Sequence, residues 1–303
     1  MTADHRSPSK ADAMPPTSLA PVGPSLPTPA EVGAWYDDAD DLCKLMSGDS
    51  FHYGLWQPAD LDSPLPIAQL ATRAQNRMTD LFCDLLQLEA GQHLLDVGCG
   101  HGSPAIRAAG QRQCDVTGCS ISRVQVQEAT RRAAAAGLSD KVRFAYGDAM
   151  DLPYPDQGFD AVWALDSFPH LNDPVRGLRE LTRAARPGAP ILVTFYTQLR
   201  PATETELAMF RDFAFCPLPT QDQVLDQIHT AGLPLEHLRD LTEHITPTMR
   251  AFSRIYADNR PLVAERFGDQ FTSDMDVPLA NLLTFLSEKT GYLACLLRRP
   301  AQP

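Results

Sequence analysis

The chain of 303 residues lacks several features that define large protein classes. It has no lysine or arginine cluster, and its formal net charge is −12. Because nucleic-acid phosphates are bound by a basic face that releases counterions, this balance argues against a nucleic-acid partner. No run approaches the roughly 20 apolar residues that a membrane-spanning helix needs, and the first residues contain no apolar core of a secretory signal. We therefore expect a cytoplasmic protein without a membrane segment.

The seven cysteines show no C-x-x-C spacing. An odd, scattered set in a chain of this length is typical of reduced thiols, and it predicts neither a disulfide framework nor a zinc site. The pair Asn172-Asp173 could suggest a divalent-metal site, but Asp173 directly precedes Pro174. An aspartate before a proline is a typical helix start, so we predict no metal.

An apolar content of 44% favours one α/β domain with additional segments over two independent domains. Residues 1–28 are rich in proline, serine, threonine and alanine, which predicts a disordered tail. Residues 65–88 have apolar side chains at three- and four-residue intervals, which predicts a helix before the first strand.

The stretch His93 to Ser103, HLLDVGCGHGS, is the most informative part of the sequence. An apolar run leads into three glycines on alternate positions and then into a helix start, a geometry that binds ligands beyond the carboxyl ends of strands. A dinucleotide fingerprint, G-x-G-x-x-G, would need a third glycine where Ser103 stands. The pattern is instead D-x-G-x-G-x-G, led by Asp96.

Strand and helix patterns alternate after this turn, which predicts a parallel sheet with right-handed crossovers. Ser103 is the expected N-cap of the first of these helices. The predicted strands that follow span Asp115–Ile121, Val142–Tyr146, Asp160–Leu165, Ile191–Phe195, Leu233–Leu241 and Tyr292–Leu297. The predicted helices span Ser103–Ala109, Arg123–Ala136, Val175–Arg186, Glu204–Phe215, Thr220–Ala231, Pro247–Phe267 and Pro278–Leu286.

The glycine segment resembles the first motif of the class I S-adenosylmethionine-dependent methyltransferases. GDAMDLPY, FDAVWALDSFPHL and RPGAPILV follow in that family's order, and the resemblance covers roughly residues 30–300. It implies an α/β, Rossmann-like seven-stranded sheet with an antiparallel last strand. It further implies an N-terminal helical lid at 29–88 and a methyltransferase domain at 89–303, with helical cap segments at about 199–218 and 246–288. The subgroup it resembles tailors small molecules, in the manner of sugar and tocopherol O-methyltransferases.

The resemblance implies S-adenosylmethionine as cofactor and assigns residues to each part of it. Ser120 stands where a ribose-binding carboxylate is usual, and a hydroxyl binds ribose more weakly than a carboxylate does. Two purely structural roles stay open: Ser120 merely ends a strand, and Asp148 caps its own turn. The implied cofactor residues are Tyr36 at the methionine end; Asp96, Gly98, Cys99 and Gly100 at the turn; Ser120 and Gln125 at the ribose; Asp148 and Ala149 at the adenine; and Leu165.

His170 is the candidate general base, because it lies just past the fourth strand and an ordinary imidazole titrates near pH ~6.5. Related enzymes often have two consecutive histidines here, whereas this chain has Pro169-His170, and the carboxylate that some carry after strand five is Phe195-Tyr196 here. The expected substrate pocket is aromatic and suits a bulky apolar acceptor. Its candidate residues are Trp56, Phe168, Phe195 and Tyr196, with Phe210, Phe213 and Phe215 from the cap.

The sequence thus predicts an enzyme that transfers a methyl group to a small, apolar or aromatic natural product, at oxygen. Carbon or nitrogen methylation also fits the pattern, since aromatic faces stabilise cations as well. A cofactor-binding cyclase that transfers no methyl group, or a non-enzymatic scaffold of the same fold, would share these motifs. A small-molecule substrate is the expected partner, and a homodimer is open.

Overall fold

The computed structural model describes residues 26–47, 50 and 52–301. Most of the predicted N-terminal tail therefore lies outside the described residues. The strands are β1 (His93–Val97), β2 (Asp115–Ser120), β3 (Val142–Tyr146), β4 (Ala161–Ala164), β5 (Pro190–Gln198), β6 (Leu235–Asp240) and β7 (Thr290–Arg298). The α-helices are α1 (Pro29–Ser47), α2 (Pro58–Leu61), α3 (Ile67–Leu85), α4 (Ser103–Arg112), α5 (Arg123–Ala135), α6 (Pro174–Ala184), α7 (Glu204–Ala214), α8 (Gln221–Thr230), α9 (Ile245–Phe267) and α10 (Asp269–Lys289).

The strands form one seven-stranded sheet in the order β3-β2-β1-β4-β5-β7-β6. The first five are parallel, and β7 runs antiparallel to both β5 and β6. This confirms the predicted Rossmann-like sheet with its antiparallel last strand. The carboxyl ends of β1, β2 and β4 meet at one edge, where parallel α/β sheets bind their ligands.

Two local predictions were wrong. Gly102, and not Ser103, is the N-cap of α4, and its φ of 77° is left-handed. A Cβ at Gly102 would lie 2.5 Å from Cζ of Phe144, so the close packing of the turn against β3 requires a glycine there. In addition, β3 and β4 are joined without a helix between residues 147 and 160, so the strict alternation of strands and helices fails at that connection.

The interior strand β5, which lies between β4 and β7, is covered on both faces, and its side chains alternate between two core layers. Ile191, Val193 and Phe195 pack on the layer that contains α6 and α8. Leu192 and Tyr196 pack on the opposite layer, with α3 and the cap helices. The face of the sheet on which a β5 side chain lies therefore decides whether that side chain can reach the ligand-binding edge at the carboxyl ends of the strands.

The structure also bears on the expectations about thiols, the start of α6 and membrane-spanning helices. All seven cysteines are free thiols. Asp173 caps α6 as predicted, since its carboxylate accepts from the backbone N–H of Arg176 at 2.9 Å. No helix within the described ranges is long and apolar enough to cross a membrane.

Candidate active site

A cavity opens at the carboxyl ends of β1, β2 and β4, under helix α1. It is the space in which the predicted cofactor residues come together. Its lining comprises Pro29, Val32, Tyr36, Ser50, His52, Asp96, Gly98, Cys99, Gly100, His101, Ser103, Pro104, Ser120, Ile121, Gln125, Gly147, Asp148, Ala149, Met150, Leu165, Asp166, Ser167, His170 and Leu171.

The glycine turn after β1 forms the floor of this cavity. Gly98 has a φ of 79°, and a Cβ there would lie 2.1 Å from Cβ of Ser167. Only a glycine therefore lets the turn after β1 pack against the loop after β4. Ser167 fixes this contact by donating from Oγ to the carbonyl of Val97 at 2.7 Å.

Asp96, the last polar residue of β1, presents a buried carboxylate to the cavity. It is 2% exposed, and its Oδ2 has no hydrogen-bond partner among the described residues. Burial raises the pKa of Asp96 to about 7. An unpartnered buried carboxylate oxygen beside a cavity is explained by a ligand that brings a donor or a positive charge.

Ser120 and Gln125 lie side by side on the wall formed by β2 and α5. The Ser120 hydroxyl donates to Oε1 of Gln125 at 2.8 Å and accepts from the backbone N–H of Ser122. The pair is a hydrogen-bonded unit in which the amide nitrogen of Gln125 is the group that can donate outward. Ser122, which lies close to them in the sequence, is the N-cap of α5.

The opposite end of the cavity is formed after β3 and β4. Asp148 lines it together with Ala149 and Leu165. Asp148 also accepts from the backbone N–H of Met150 at 2.9 Å, which is the turn-capping role that the sequence left open. Lining the cavity and capping the turn are both served by this carboxylate, because it has two oxygens.

His170 lies in a short 3₁₀ turn after β4 and contacts both α1 and the cap. Its Nδ1 lies 3.3 Å from the carbonyl oxygen of Phe215, so Nδ1 carries the proton, and Nε2 accepts from the Tyr36 hydroxyl at 2.9 Å. Burial lowers the pKa of His170 to about 4, and burial also raises the pKa of Tyr36. The imidazole is therefore neutral and the phenol protonated at neutral pH. The backbone carbonyl of Phe215 replaces the carboxylate that sequence reasoning sought after strand five.

Helix α1 is bound to the loops around the cavity by residues that sequence reasoning missed. Asp37 accepts from the Ser122 hydroxyl and from the backbone N–H of Val124, and Asp40 pairs with His101 in the glycine turn. The signal that could have found them is their helical spacing, since residues 36, 37 and 40 share one face of a helix.

The structure does not place the four predicted substrate residues in the cavity lining. Phe168 and Phe195 are 1% and 3% exposed and pack edge to face in the core layer of α6 and α8. Trp56 donates from Nε1 to Thr248 and packs on α9, and Tyr196 stacks on Tyr292.

The cap aromatics are also outside the lining. Phe210 packs on Phe285, and Phe213 lies against the main core. Phe215 stacks on Trp35 of α1 at 5.9 Å between ring centroids, so the cap and α1 meet over His170. Among the described residues, the aromatic rings that do line the cavity are those of Tyr36 and three histidines.

The charges of the cavity indicate the kind of ligand that it accepts. Its described lining contains no lysine or arginine, whereas Asp96, Asp148 and Asp166 all face it. A dinucleotide pyrophosphate would be repelled by these carboxylates, while a cationic ligand is attracted. The residues therefore fit the sulfonium cofactor that the sequence implied. Within the described residues, no group of three or more His, Cys, Asp or Glu is placed to hold a metal ion.

The fold and this crevice define a class I S-adenosylmethionine-dependent methyltransferase. The chain belongs to the mycolic acid cyclopropane synthetase family, whose profile matches residues 26–284. Its cofactor is S-adenosylmethionine, and it is a methyltransferase of that family.

Two relatives and two solved structures are similar to this chain over most of its length. The 27-O-demethylrifamycin SV methyltransferase of Amycolatopsis mediterranei (strain S699) is 34% identical over 279 residues, 90% of this chain and 98% of the relative. The methyltransferase GfsG of Streptomyces halstedii is 36% identical over 225 residues, 72% of this chain and 78% of the relative. The [4+2]-cyclase SpnF superposes with a TM-score of 0.78 at 30% identity, covering 92% of this chain and 98% of that one. The cyclopropane synthase MmaA2 of Mycobacterium tuberculosis, at 18% identity over 90% of this chain and 99% of that one, shares the fold with a TM-score of 0.78.

Proposed function

We propose that this enzyme methylates a hydroxyl group of a small, largely apolar natural product. The observation that carries the proposal is the neutral His170 at the cavity wall, whose Nε2 accepts from a hydroxyl, that of Tyr36, at 2.9 Å. Nε2 has one lone pair, so an acceptor hydroxyl that takes the place of the Tyr36 hydroxyl at this nitrogen can pass its proton to it. The relative that acts on 27-O-demethylrifamycin SV supports oxygen as the methylated atom.

The cofactor supplies a methyl group already activated on a positively charged sulfur. The chain must therefore bind and align, and alignment alone can contribute about 7–11 kcal/mol to lowering the barrier. We assign Asp96 and the glycine turn to the amino-acid end. Tyr36 and His170 then face the reacting atoms. The full proposed cofactor set is Tyr36, Asp96, Gly98, Cys99, Gly100, Ser120, Gln125, Asp148, Ala149 and Leu165.

Residues 29–88 are proposed as a lid, and the segments at about 199–218 and 246–288 as a cap, on the domain at 89–303. The contacts of α1 with the glycine turn, with α5 and with His170 support the lid. We propose that the acceptor enters where Trp35 of α1 stacks on Phe215 of the cap, because the Phe215 carbonyl oxygen lies 3.3 Å from Nδ1 of His170. We further propose a cytoplasmic enzyme that acts on small molecules without a nucleic-acid partner, as a monomer or homodimer.

The product mass tests the proposed activity. The purified protein is incubated with S-adenosylmethionine carrying a trideuterated methyl group and with O-demethylated natural products, including 27-O-demethylrifamycin SV. We expect a product that gains one labelled methyl group, together with S-adenosylhomocysteine in equal amount. If no acceptor gains the label although the cofactor binds, methyl transfer to these hydroxyls is excluded.

Cyclisation without methyl transfer is the second candidate. The 30% identity to the cyclase SpnF over almost the whole of both chains favours it. The same incubation separates the two candidates, since a cyclised product keeps the mass of its precursor and releases no S-adenosylhomocysteine.

A further inference from the structure

Asp166 is a cavity residue to which neither the sequence analysis nor the proposed function assigns a role. It is the second residue after β4 and has a φ of 54°, a left-handed conformation that aspartate and asparagine tolerate better than most residues. Its neighbour Ser167 packs against Gly98, so the Asp166 backbone is fixed next to the glycine turn. His170 follows on the same loop, and both residues line the cavity.

The Asp166 carboxylate is held only by uncharged groups. Oδ1 accepts from the Thr194 hydroxyl at 2.7 Å and from the Tyr292 hydroxyl at 2.8 Å, and Oδ2 accepts from the backbone N–H of Tyr53 at 3.3 Å. The imidazole of His52 would attract the Asp166 carboxylate if it were protonated. His52 is buried, however, and this burial lowers its pKa. No lysine or arginine is present in the described lining. The Asp166 carboxylate is thus held by dipoles and lacks a cation. Burial raises the pKa of Asp166, and the hydrogen bonds from Thr194 and Tyr292 act against this shift, so a cationic ligand beside it would stabilise its charged form.

The reaction changes the charge at the cofactor sulfur. When the methyl carbon bonds to the acceptor oxygen, the carbon–sulfur bond breaks and its electron pair stays on sulfur. The hydroxyl proton passes to the base. S-adenosylmethionine is cationic at sulfur, and the S-adenosylhomocysteine that remains is neutral there. A carboxylate near that sulfur therefore interacts with the two cofactor states differently.

We propose that Asp166 is the counter-charge of the sulfonium and makes the site bind S-adenosylmethionine in preference to S-adenosylhomocysteine. This inference rests on the proposed methyl transfer and names the residue that selects the charged cofactor. Asp166 is then a specificity residue whose attraction for the cofactor ends when the methyl group leaves, which favours release of the spent cofactor.

Asp96 and Asp148 have different positions and different expected effects. Asp96 lies at the glycine turn, where the amino-acid end is assigned, and Asp148 lies at the end assigned to adenine. Both of those groups are identical in the methylated and demethylated cofactor. Removing either charge should weaken both cofactor states alike.

Calorimetric affinities for three ligands test the inference. The ligands are S-adenosylmethionine, S-adenosylhomocysteine and sinefungin, which carries an ammonium in place of the sulfonium. In Asp166→Asn we expect the preference for each cationic ligand over S-adenosylhomocysteine to fall by about ten-fold or more, since a desolvated charge pair is removed. Asparagine keeps the left-handed backbone accessible, so the fold should persist.

Two further variants separate charge from structure. Thr194→Ser changes the packing around the same carboxylate but keeps the hydroxyl that donates to it and therefore its charge, and Asp96→Asn removes the other buried charge. We expect both to leave the ratio of the affinities unchanged, even where they weaken all three ligands. An unchanged ratio in Asp166→Asn, or a ratio lost equally in Thr194→Ser, would overturn the inference. Failure of the wild-type protein to bind S-adenosylmethionine would instead contradict the proposed function.

Discussion

Burial gives individual side chains of the site a chemistry that their sequence motifs do not reveal. His170 was expected to act as an ordinary imidazole, but its burial lowers its pKa to about 4. Protonation of Nε2 would remove the lone pair that accepts the acceptor proton, and that protonation occurs only as the pH falls towards 4. The base is therefore weak, but it is fully available at neutral pH.

The pH dependence of turnover follows from this pKa. We expect kcat to show no acidic limb attributable to His170 between about pH 8 and about pH 5, because the imidazole stays neutral throughout that range. Stopped assays over this range, in buffers that keep the protein folded, provide the measurement. A limb centred near 6.5 that disappears in His170→Gln would show that His170 titrates as an exposed histidine does.

Replacement of His170 tests its proposed role. In His170→Gln we expect kcat to fall by about 10²-fold, the low end for general-base catalysis, while the affinity for S-adenosylmethionine changes little. His93→Gln is the matched control, since His93 lies at the amino end of β1 and contacts Thr117. An unaltered turnover number in His170→Gln would reject the role.

The raised pKa of Asp96 predicts that the folded protein becomes less stable as the pH rises. Its folded pKa is about 7 and its ordinary value is 3.8, so the folded chain binds more protons between these values and stability falls as the pH rises through them. Asp96→Asn removes this loss. We compare the free energies of unfolding of the cofactor-free variant and wild type. The difference between them should shift in favour of the variant by at least about 1 kcal/mol from pH 5 to pH 8. Urea unfolding at both pH values measures it, and an equal offset at both would contradict the buried charge.

At the scale of elements, helix α1 joins loops that follow three different strands. Tyr36, Asp37 and Asp40 contact the loops after β4, β2 and β1 from one face of the helix. The helix also approaches closely, since a Cβ at Gly33 would lie 2.8 Å from the carbonyl oxygen of Ile121. Cofactor binding and docking of α1 should therefore stabilise each other.

The anchor at Asp37 tests this coupling. In Asp37→Ala we expect faster amide hydrogen exchange in α1 and about five-fold weaker binding of S-adenosylmethionine, since a capping-type interaction of about 1 kcal/mol is lost. Asp38→Ala is the control, because Asp38 is exposed on the same helix. Equal effects of the two substitutions would show that Asp37 anchors nothing relevant to the cofactor.

The sequence was sufficient to predict elements that depend on a local pattern. It was insufficient to predict which way side chains point where both faces of an element are buried. The glycine turn, β3 and the Asp173 cap were predicted because each depends on a few adjacent residues. In β5 the apolar run is nearly continuous, so the sequence could not reveal that Phe195 faces the core of α6 and α8 while Thr194 faces Asp166. The contact of His170 with Phe215 depends on the cap, which no local pattern positions.

At the scale of the whole molecule, one sheet edge and helix α1 border the cavity. Among the described residues, its ionisable side chains are aspartates, histidines and a tyrosine, with the buried thiol of Cys99. The charges of this cavity discriminate between two classes of cofactor that Rossmann-like folds bind. A sulfonium is attracted by the carboxylates, whereas a pyrophosphate would require the donors and cations that a dinucleotide site provides.

Isothermal titration of the purified wild-type protein tests this central claim most directly. With S-adenosylmethionine we predict saturable binding at one site per chain, and with a nicotinamide dinucleotide no binding under the same conditions. Absence of binding with S-adenosylmethionine, or saturable binding of the dinucleotide that competes with it, would contradict the account.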